Sequence, residues 1–231
     1  MRIPNALLVA CLASLLAAIS LQCAASPFAI RIGVEKLVLD TPPGFSDTTN
    51  LASPRLEDLA ATLTSASNRV LIFGLTDADF RKFTVGDQAD FRRYLIAVTP
   101  KALEYERVGA EQFARLVGDA MGVIGSPVQA PDLVKFLEKQ PIGLVHLVAE
   151  IKKEPTLVSV VRAVRLPPIP GKKFYDSAIP QYQLLSDTLV LMRGKALRLS
   201  VYTLYDSPED AEWLRATTQR WMEELQRLNP R

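Results

Sequence analysis

The sequence predicts an α+β fold, a mostly antiparallel sheet of about six to seven strands with helices packed on its faces. Two pairs of strand-like segments are joined by short turns, and turns of that length require antiparallel pairing. The other strand-like segments are separated by stretches whose apolar residues recur at helical spacing. The chain has 231 residues and is 48% apolar, which is enough to bury a core without crosslinks.

The chain opens with an export signal. Arg2 supplies positive charge, residues 6–21 are apolar or small, and a small-residue cleavage site ends at Ala25. We expect residues 1–25 to be removed and residues 26–231 to fold as a single domain in the periplasm or outside the cell. Two alternatives stay open. The segment approaches the roughly 20 residues of a bilayer span and would then remain as an anchor, or Cys23 is lipidated and tethers the chain to a membrane.

Composition and charge argue against several functions. The formal net charge is +2 and the longest basic clusters are pairs, so we expect neither nucleic-acid binding nor a polybasic membrane patch. Both cysteines, Cys11 and Cys23, lie in the export signal, and the chain has one histidine. Most zinc and copper sites need several such ligands, so we expect no metal and no other cofactor. A mature chain without disulfides or Asn-x-Ser/Thr sites favours a bacterial periplasm.

The first half of the mature chain alternates strands and helices. Residues 35–40 form a strand pattern that two prolines end. Ser53 precedes a proline at the first helical position and predicts the start of a helix. Residues 70–75 are apolar on both faces and predict a central strand, and residues 93–99 predict another.

Three further segments of the first half predict one loop and two helices. Residues 77–90 indicate a salt-bridged loop with a helical turn, because Arg81 and Lys82 stand where a calcium-binding EF-hand needs an oxygen ligand and a glycine. Residues 109–125 have the amphipathic spacing of a helix, and residues 131–139 predict a shorter one.

The second half predicts two hairpins and a final helix. The hairpin strands are residues 143–151 with 156–165, and 187–192 with 196–205. In the last of these segments, apolar residues alternate with Arg198, Ser200 and Tyr202, which predicts one buried and one polar face. Ser207 and Asp210 form a capping box that opens the last helix.

His146 is the one histidine, and it lies in a strand-like segment. An enzymatic hypothesis makes it a general base oriented by Glu150, four residues along the same strand face, in a periplasmic hydrolase or lyase. The alternative is a partly buried strand histidine with a structural hydrogen bond. No Gly-x-Ser-x-Gly nucleophile elbow accompanies it, so the structural interpretation is favoured.

Residues 166–183 form a long proline-rich segment between the two hairpins. Residues 167–170 are expected to be extended as polyproline II. Lys172, Lys173, Tyr175 and Asp176 follow as candidate ligand- or partner-binding residues. Loops of this length are often functional, so the segment is either a flap over a groove, a docking strip, or a plain connection.

Three tyrosines are candidates to line a sheet face beside that segment. They are Tyr94, Tyr202 and Tyr205. Aromatic residues in strands also serve simply as core, so the sequence leaves both roles open.

The chain resembles exported proteobacterial proteins of uncharacterised function. The resemblance lies in a strand ending in a Pro-Gly-Phe turn (residues 37–45), the stretch 86–94 that leads into a strand, and the Arg-Gly-Lys hairpin (193–195) before a tryptophan-bearing last helix. The order of elements is similar to the PsbP-like α-β-α sandwich. That similarity implies a non-enzymatic assembly factor, accessory subunit or stress-related envelope protein, and it transfers no site residues.

Together these features favour a non-catalytic, exported module of the cell envelope. It would bind a protein partner or a small ligand through one sheet face and the segment 166–183. The alternatives are the enzyme that uses His146 and Glu150, and a membrane-tethered envelope protein.

Overall fold

The computed structural model describes residues 26–122, 125–169 and 179–230, and these ranges contain nine strands and five α-helices. The strands are β1 (Phe28–Ile32), β2 (Glu35–Leu39), β3 (Phe45–Asp47), β4 (Asn68–Thr76), β5 (Arg93–Pro100), β6 (Val145–Glu154), β7 (Leu157–Ile169), β8 (Ile179–Met192) and β9 (Lys195–Leu204). The helices are α1 (Pro54–Thr62), α2 (Asp77–Thr84), α3 (Ala110–Gly122), α4 (Leu133–Glu138) and α5 (Pro208–Leu228).

Seven of the strands form one antiparallel sheet in the order β3-β4-β5-β9-β8-β7-β6, while β1 and β2 form a separate hairpin. Two meanders, β3 to β5 and β6 to β9, meet at the β5–β9 pair. The predicted α+β class and the size of the sheet are therefore confirmed. Strands β9 and β8 lie in the interior of the sheet. Each is paired along both edges, and helices can pack on either face.

Both predicted hairpins are present, β6 with β7 and β8 with β9. The β8–β9 turn has left-handed backbone at both central residues, with φ 49° at Arg193 and 79° at Gly194. That geometry matches the right-handed twist of the flanking strands. A Cβ on Gly194 would lie 2.8 Å from Cγ of Arg107, so the glycine is needed for space as well as for φ.

Several elements differ from the sequence predictions. Strands β1 and β3 were not predicted, since each is short and is defined by its pairing partner. The predicted loop at 77–90 contains helix α2, whose first turn is capped by the Thr76 hydroxyl accepting from the Asp79 N–H at 3.1 Å. Ser53 takes the N-cap position of α1, but its side chain makes no capping hydrogen bond.

The segment 166–183, predicted as a long loop, contains strand residues at both of its described ends. Strands β7 and β8 extend into it, and the pairs Leu166 with Gln181 and Ile169 with Ile179 continue the ladder. The register is irregular between Leu166 and Ile169, where two prolines have no N–H to donate. Residues 167–169 are therefore part of a paired strand rather than free polyproline II.

The first face of the sheet carries the main core. Helix α5 lies over β8 and β9, and its buried residues Leu214, Trp221 and Leu225 pack with strand residues such as Leu199 and with the β1–β2 hairpin. This confirms the apolar stripe predicted for the last helix. The helix α4 packs on the same face, since its Leu137 belongs to this cluster.

Polar bonds tie the end of α5 to the β1–β2 hairpin. Trp221 Nε1 donates to the Asp40 carbonyl at 2.7 Å. The Asn229 side chain accepts from the Val38 N–H at 2.9 Å and donates to the Val38 carbonyl at 2.7 Å. The amide thus pairs with the hairpin backbone as a neighbouring strand would.

The second face is covered in two separate places. Helices α1 and α2 pack on Phe73 and Leu75 of β4. Helix α3, through Phe113, packs on Ala196 and on partly buried residues near the end of β8. The strip of sheet between these two clusters carries the candidate site.

None of the helices within the described ranges has both the length and the apolar character needed to cross a bilayer.

A charge network fixes the start of α5 against β5. The buried Asp210 carboxylate accepts from the Asp206 N–H at 3.0 Å, from Arg93 at 3.0 Å and from Arg92 at 3.1 Å. Burial acts to raise the pKa of Asp210, but the backbone hydrogen bond and the two guanidiniums outweigh it and the pKa is lowered. Arg93 also lies 4.0 Å above the ring of Trp213.

Replacing this carboxylate should destabilise the fold in a pH-dependent way. We expect Asp210→Asn to lower the free energy of unfolding at pH 7 by about 1–3 kcal/mol, because buried charge-assisted bonds are lost. Since the folded pKa is below the unfolded one, the contribution is complete above the unfolded pKa of about 4 and is lost as pH falls through the folded pKa. Urea unfolding between pH 2 and 7 measures both effects.

Asp206→Asn is the matched control, because Asp206 is 68% exposed and contacts the same Arg92. We expect a change below about 1 kcal/mol for it. Equal losses in the two variants would contradict the role assigned to Asp210.

Candidate functional site

The uncovered strip of the second face is built by strand alternation. Arg162 of β7, Leu185 of β8, Tyr202 of β9 and Tyr94 of β5 lie opposite one another in one row across the sheet. Because side chains alternate along each strand, all four point to the same face. Asp187 lies two residues along β8 from Leu185, and therefore on this face too.

An apolar cavity of about 530 Å³ opens at one end of the strip. It lies between helix α1, the segment after α2, and the ends of β7, β8 and β9. Its apolar walls are Leu56, Leu59, Leu63, Phe73, Phe83, Phe91, Leu166 and Leu204. A volume of this size is typical of small-molecule sites, which fall between about 300 and 1,000 Å³.

A few polar groups stand among these apolar walls. Gln183 Nε2 donates to the Tyr94 hydroxyl at 2.9 Å, and both residues line the cavity. Burial raises the pKa of Tyr94 to about 12, so the phenol is neutral and its own proton is available to a ligand. Arg55 and Asp90 lie at the rim, and Asp90 accepts from Lys82 at 2.7 Å.

A second cavity of about 300 Å³ lies on the same face and is more polar. Thr62, Thr64 and Ser65 at the end of α1 form one side. The other side is the sheet itself, where Arg198 and Tyr202 of β9 face the space. Such a site offers hydroxyl and guanidinium donors rather than apolar surface.

The two cavities are neighbours. Leu63 lines both of them. Tyr94, in the wall of the apolar cavity, stacks on Tyr202, in the wall of the polar cavity, with ring centroids 4.6 Å apart and an interplanar angle of 18°. The tyrosine pair therefore forms a common floor beneath both cavities.

A buried carboxylate between two arginines borders the polar cavity. Asp187 is 1% exposed. It accepts from Arg198 Nε and Nη2, both at 2.7 Å, and forms an ion pair with Arg162, whose Nη2 lies 2.6 Å from the carboxylate. The three residues come from three adjacent strands, and each arginine is a diagonal neighbour of Asp187 across the ladder. Asp187 is the only carboxylate that pairs with either guanidinium among the described residues.

The two arginines differ in their surroundings. The Arg162 side chain is 12% exposed, and burial lowers its pKa although Asp187 opposes the shift. Its Nε is buried without a hydrogen-bond partner in the described part of the chain. Burial also acts on Arg198, but the bond and charge of Asp187 outweigh it and its pKa is raised. Both guanidiniums stay charged, so the cluster carries one excess positive charge.

The structure separates the two residues of the enzymatic hypothesis. His146 lies opposite Ala163, while Glu150 lies opposite Val160, because the β6 register shifts between Leu147 and Ala149. An extra residue in one strand turns the following side chains to the other face. The expectation that His146 and Glu150 share a strand face is therefore wrong, and Glu150 is exposed.

His146 belongs to the first face, away from both cavities. Its ring meets Phe136 edge-on, with centroids 5.0 Å apart. Its Nε2 is buried and has no hydrogen-bond partner among the described residues, so the structural hydrogen bond expected there is not seen at this atom.

Other predicted site residues have mixed outcomes. Lys172, Lys173, Tyr175 and Asp176 lie outside the described residues, as does the export signal with Cys23. The paired ends of that proline-rich segment nevertheless line the apolar cavity, through Leu166, Gln181 and Gln183.

The three tyrosines divide between the two faces. Tyr94 and Tyr202 line the second face as expected, whereas Tyr205 packs against the main core on the first face. Tyr205 follows the end of β9, where its N–H donates to the Tyr182 carbonyl. Within the described ranges, no three His, Cys, Asp or Glu side chains come together as a metal site would require.

Sequence reasoning missed the roles of Arg162 and Asp187. The alternation in β9 did mark Arg198 and Tyr202 as one polar face. A comparable signal lay in β7, where Arg162 stands between the apolar residues Val161 and Ala163. An arginine in such a position indicates a charged partner on a neighbouring strand.

No family model matches the chain, and no curated protein matches it. Among solved structures, it is similar to the Ran-binding protein Mog1p of Saccharomyces cerevisiae, with a TM-score of 0.38 and 11% identity over 89% of this chain and 95% of that one. A mutant of Mog1 gives a TM-score of 0.37 and 11% identity over 88% and 94%. At these values the neighbours carry no information about the activity or partners of this chain.

Removing the carboxylate at the centre of the charge cluster should destabilise the fold. We expect Asp187→Asn to lower the free energy of unfolding by about 3–5 kcal/mol, because it leaves Arg162 buried beside a second unpaired guanidinium. Chemical denaturation followed by far-UV circular dichroism measures the loss.

Arg198→Gln is the control for this substitution. Arg198 is 42% exposed and its removal leaves the Arg162–Asp187 pair intact, so the loss should be near 1 kcal/mol. A larger loss for Arg198→Gln than for Asp187→Asn would refute this account of the cluster.

Proposed function

We propose that this protein is a non-catalytic, exported binding module whose ligand is a small, largely apolar molecule held in the cavity on the second face of the sheet. The observation that carries the proposal is the cavity of about 530 Å³ with leucine and phenylalanine walls. Closed ligand sites are mostly apolar with few oriented polar groups, and this cavity has that composition.

The polar groups in the cavity support binding of a specific ligand rather than of any apolar surface. Gln183 and Tyr94 are bonded to each other, and their remaining donor and acceptor capacity faces a largely apolar space. A ligand with one hydroxyl or carbonyl group at this point would replace water bonds with protein bonds. A wholly apolar ligand would leave the remaining donors and acceptors of these two groups without water or ligand partners and would bind less well.

A small ligand is a better occupant than a protein segment. The walls come from α1, from α2 and the segment after it, and from five strands, so residues of several elements line one space of about 530 Å³. Protein interfaces of the standard size bury about 800 Å² on each partner and need a more extended surface. A protein partner, which the sequence analysis also raised, is therefore the less favoured occupant of this cavity.

The position of His146 supports binding over catalysis. The ring packs on Phe136 and the first face, so it cannot reach a ligand in the cavity on the second face. Glu150, its expected partner, lies on the other face of the sheet. The hydrolase or lyase hypothesis thus loses the pair of residues on which it depended.

Ligand binding should be measurable with a neutral fluorescent probe. We expect N-phenyl-1-naphthylamine to gain fluorescence with the purified protein, because burial in an apolar cavity removes it from water. Leu59→Trp places a large ring in the cavity and should weaken binding at least about tenfold. Fluorescence titration gives the dissociation constants.

The matched control is Leu144→Trp, the same substitution at a side chain that is 48% exposed on another part of the surface. It should bind the probe as the wild type does. If both tryptophan variants bind normally, or if the wild type does not bind the probe, the cavity is not a ligand site.

The proposal includes export of the protein, with residues 1–25 acting as a signal that is removed. Expression of the full chain in a bacterial host, followed by intact-mass measurement of the purified protein, should give a mass that begins at Ser26. A mass that includes the first 25 residues would favour a retained anchor. A diacylglyceryl adduct would favour lipidation of Cys23, and recovery of the full-length chain in the cytosol would contradict export.

A further inference from the structure

The polar cavity contains a guanidinium that is held in place before any ligand arrives. Two of the three Arg198 nitrogens, Nε and Nη2, donate to the two oxygens of Asp187 at 2.7 Å each. This forked pair fixes the plane of the guanidinium. The third nitrogen, Nη1, has no hydrogen-bond partner among the described residues, and the side chain lines the polar cavity.

The charge of this group is not cancelled. Asp187 also forms an ion pair with Arg162, which is 12% exposed, so among the described residues two guanidiniums share one carboxylate. The excess positive charge lies where solvent access is reduced, and there an anion interacts more strongly than in water. Arg198 is the member of the cluster that an incoming anion can reach, because its side chain is 42% exposed.

Neighbouring hydroxyls add to the affinity for an anion. Tyr202 and Ser200 line the polar cavity beside Arg198. Burial raises the pKa of Tyr202, although Arg198 opposes the shift, so the phenol keeps its proton at neutral pH. A protonated phenol can donate to an anion, whereas a phenolate would repel it.

The position of the charged group relative to the apolar cavity defines the ligand. Leu63 lines both cavities, and the stacked rings of Tyr94 and Tyr202 form their common floor. We propose that the ligand is an anionic amphiphile, with its hydrocarbon chain in the apolar cavity and its carboxylate or phosphate bound by Arg198 in the polar one. This inference rests on the proposed function and adds the chemical class of the ligand.

Arg55 is the competing site for the anionic group, since it lies at the rim of the apolar cavity. It is an exposed residue in the first turn of α1. An exposed arginine loses several rotamers when it binds, and water screens its charge. Arg198 has already lost that freedom to Asp187, so binding there requires less ordering.

The test compares ligands with one chain length and different head groups. Decanoate, decyl phosphate, 1-decanol and decyltrimethylammonium are titrated below their aggregation concentrations to displace N-phenyl-1-naphthylamine. We expect the anions to bind the wild type about tenfold more tightly than decanol, because a charge-assisted hydrogen bond at a partly exposed site contributes about that much. The cation should bind least, and the order of decanoate and decyl phosphate identifies the head group.

Two variants locate the anionic group. Arg198→Gln should reduce the preference for decanoate over decanol to about twofold or less, because decanoate loses its charged partner. Arg55→Gln should keep the preference, because it removes a charge at the other cavity. If Arg55→Gln removes the preference and Arg198→Gln keeps it, the assignment of Arg198 is overturned.

A third variant keeps the test independent of the Arg198 side chain. Thr62 is exposed at the edge of the polar cavity, and Thr62→Glu places there a carboxylate that repels an anionic ligand. It should weaken decanoate binding about tenfold and leave decanol binding unchanged. Equal effects on both ligands would count against the inference.

The outcomes separate this inference from the proposed function. If decanol binds the wild type as tightly as decanoate, the anionic head group is refuted while the apolar ligand site stands. If neither the dye nor any of the decyl compounds binds, the proposed function itself fails.

Discussion

The helices on the second face of the sheet cannot cover it. Helices α1, α2 and α3 have 9, 8 and 13 residues, so they are about 14, 12 and 20 Å long. A sheet of seven strands is about 29 Å wide. The three helices pack near two ends of the face and leave a strip between them. The two cavities open in this gap, and the charge cluster lies on the same strip of sheet.

The first face carries the main core, and this asymmetry gives the fold its stable base. Helix α5 has 21 residues and packs over the two central strands, and the β1–β2 hairpin packs beside it. Trp221 and Asn229 tie the helix to that hairpin, and Asp210 ties its start to β5. Because the first face is anchored at both ends of α5, the second face can hold an open site on a rigid sheet.

The charged groups on the second face of the sheet are tolerated only because they pair with one another. Asp187 is almost fully buried, and an unpaired carboxylate there would be strongly destabilising. Two arginines pair with it, but Arg162 Nε is buried without a hydrogen-bond partner in the described part of the chain, and replacing such a buried charge cluster by apolar residues is often neutral or stabilising. Apolar residues in place of the charged cluster would pack without needing charged partners. The retained excess charge is consistent with a role for Arg198 in recognition rather than in stability alone.

The amino-acid sequence by itself determined the features that depend on near neighbours. Alternation predicted the inward and outward residues of β9, the capping box placed the start of α5, and the Arg193–Gly194 turn set the β8–β9 hairpin. Only the tertiary structure decided which residues meet across strands. Arg162, Asp187 and Arg198 come together through the register of three strands, and the shift in β6 parts His146 from Glu150. Register depends on the pairing of distant segments, and a change of one residue moves a side chain to the opposite face, so no local pattern contains it.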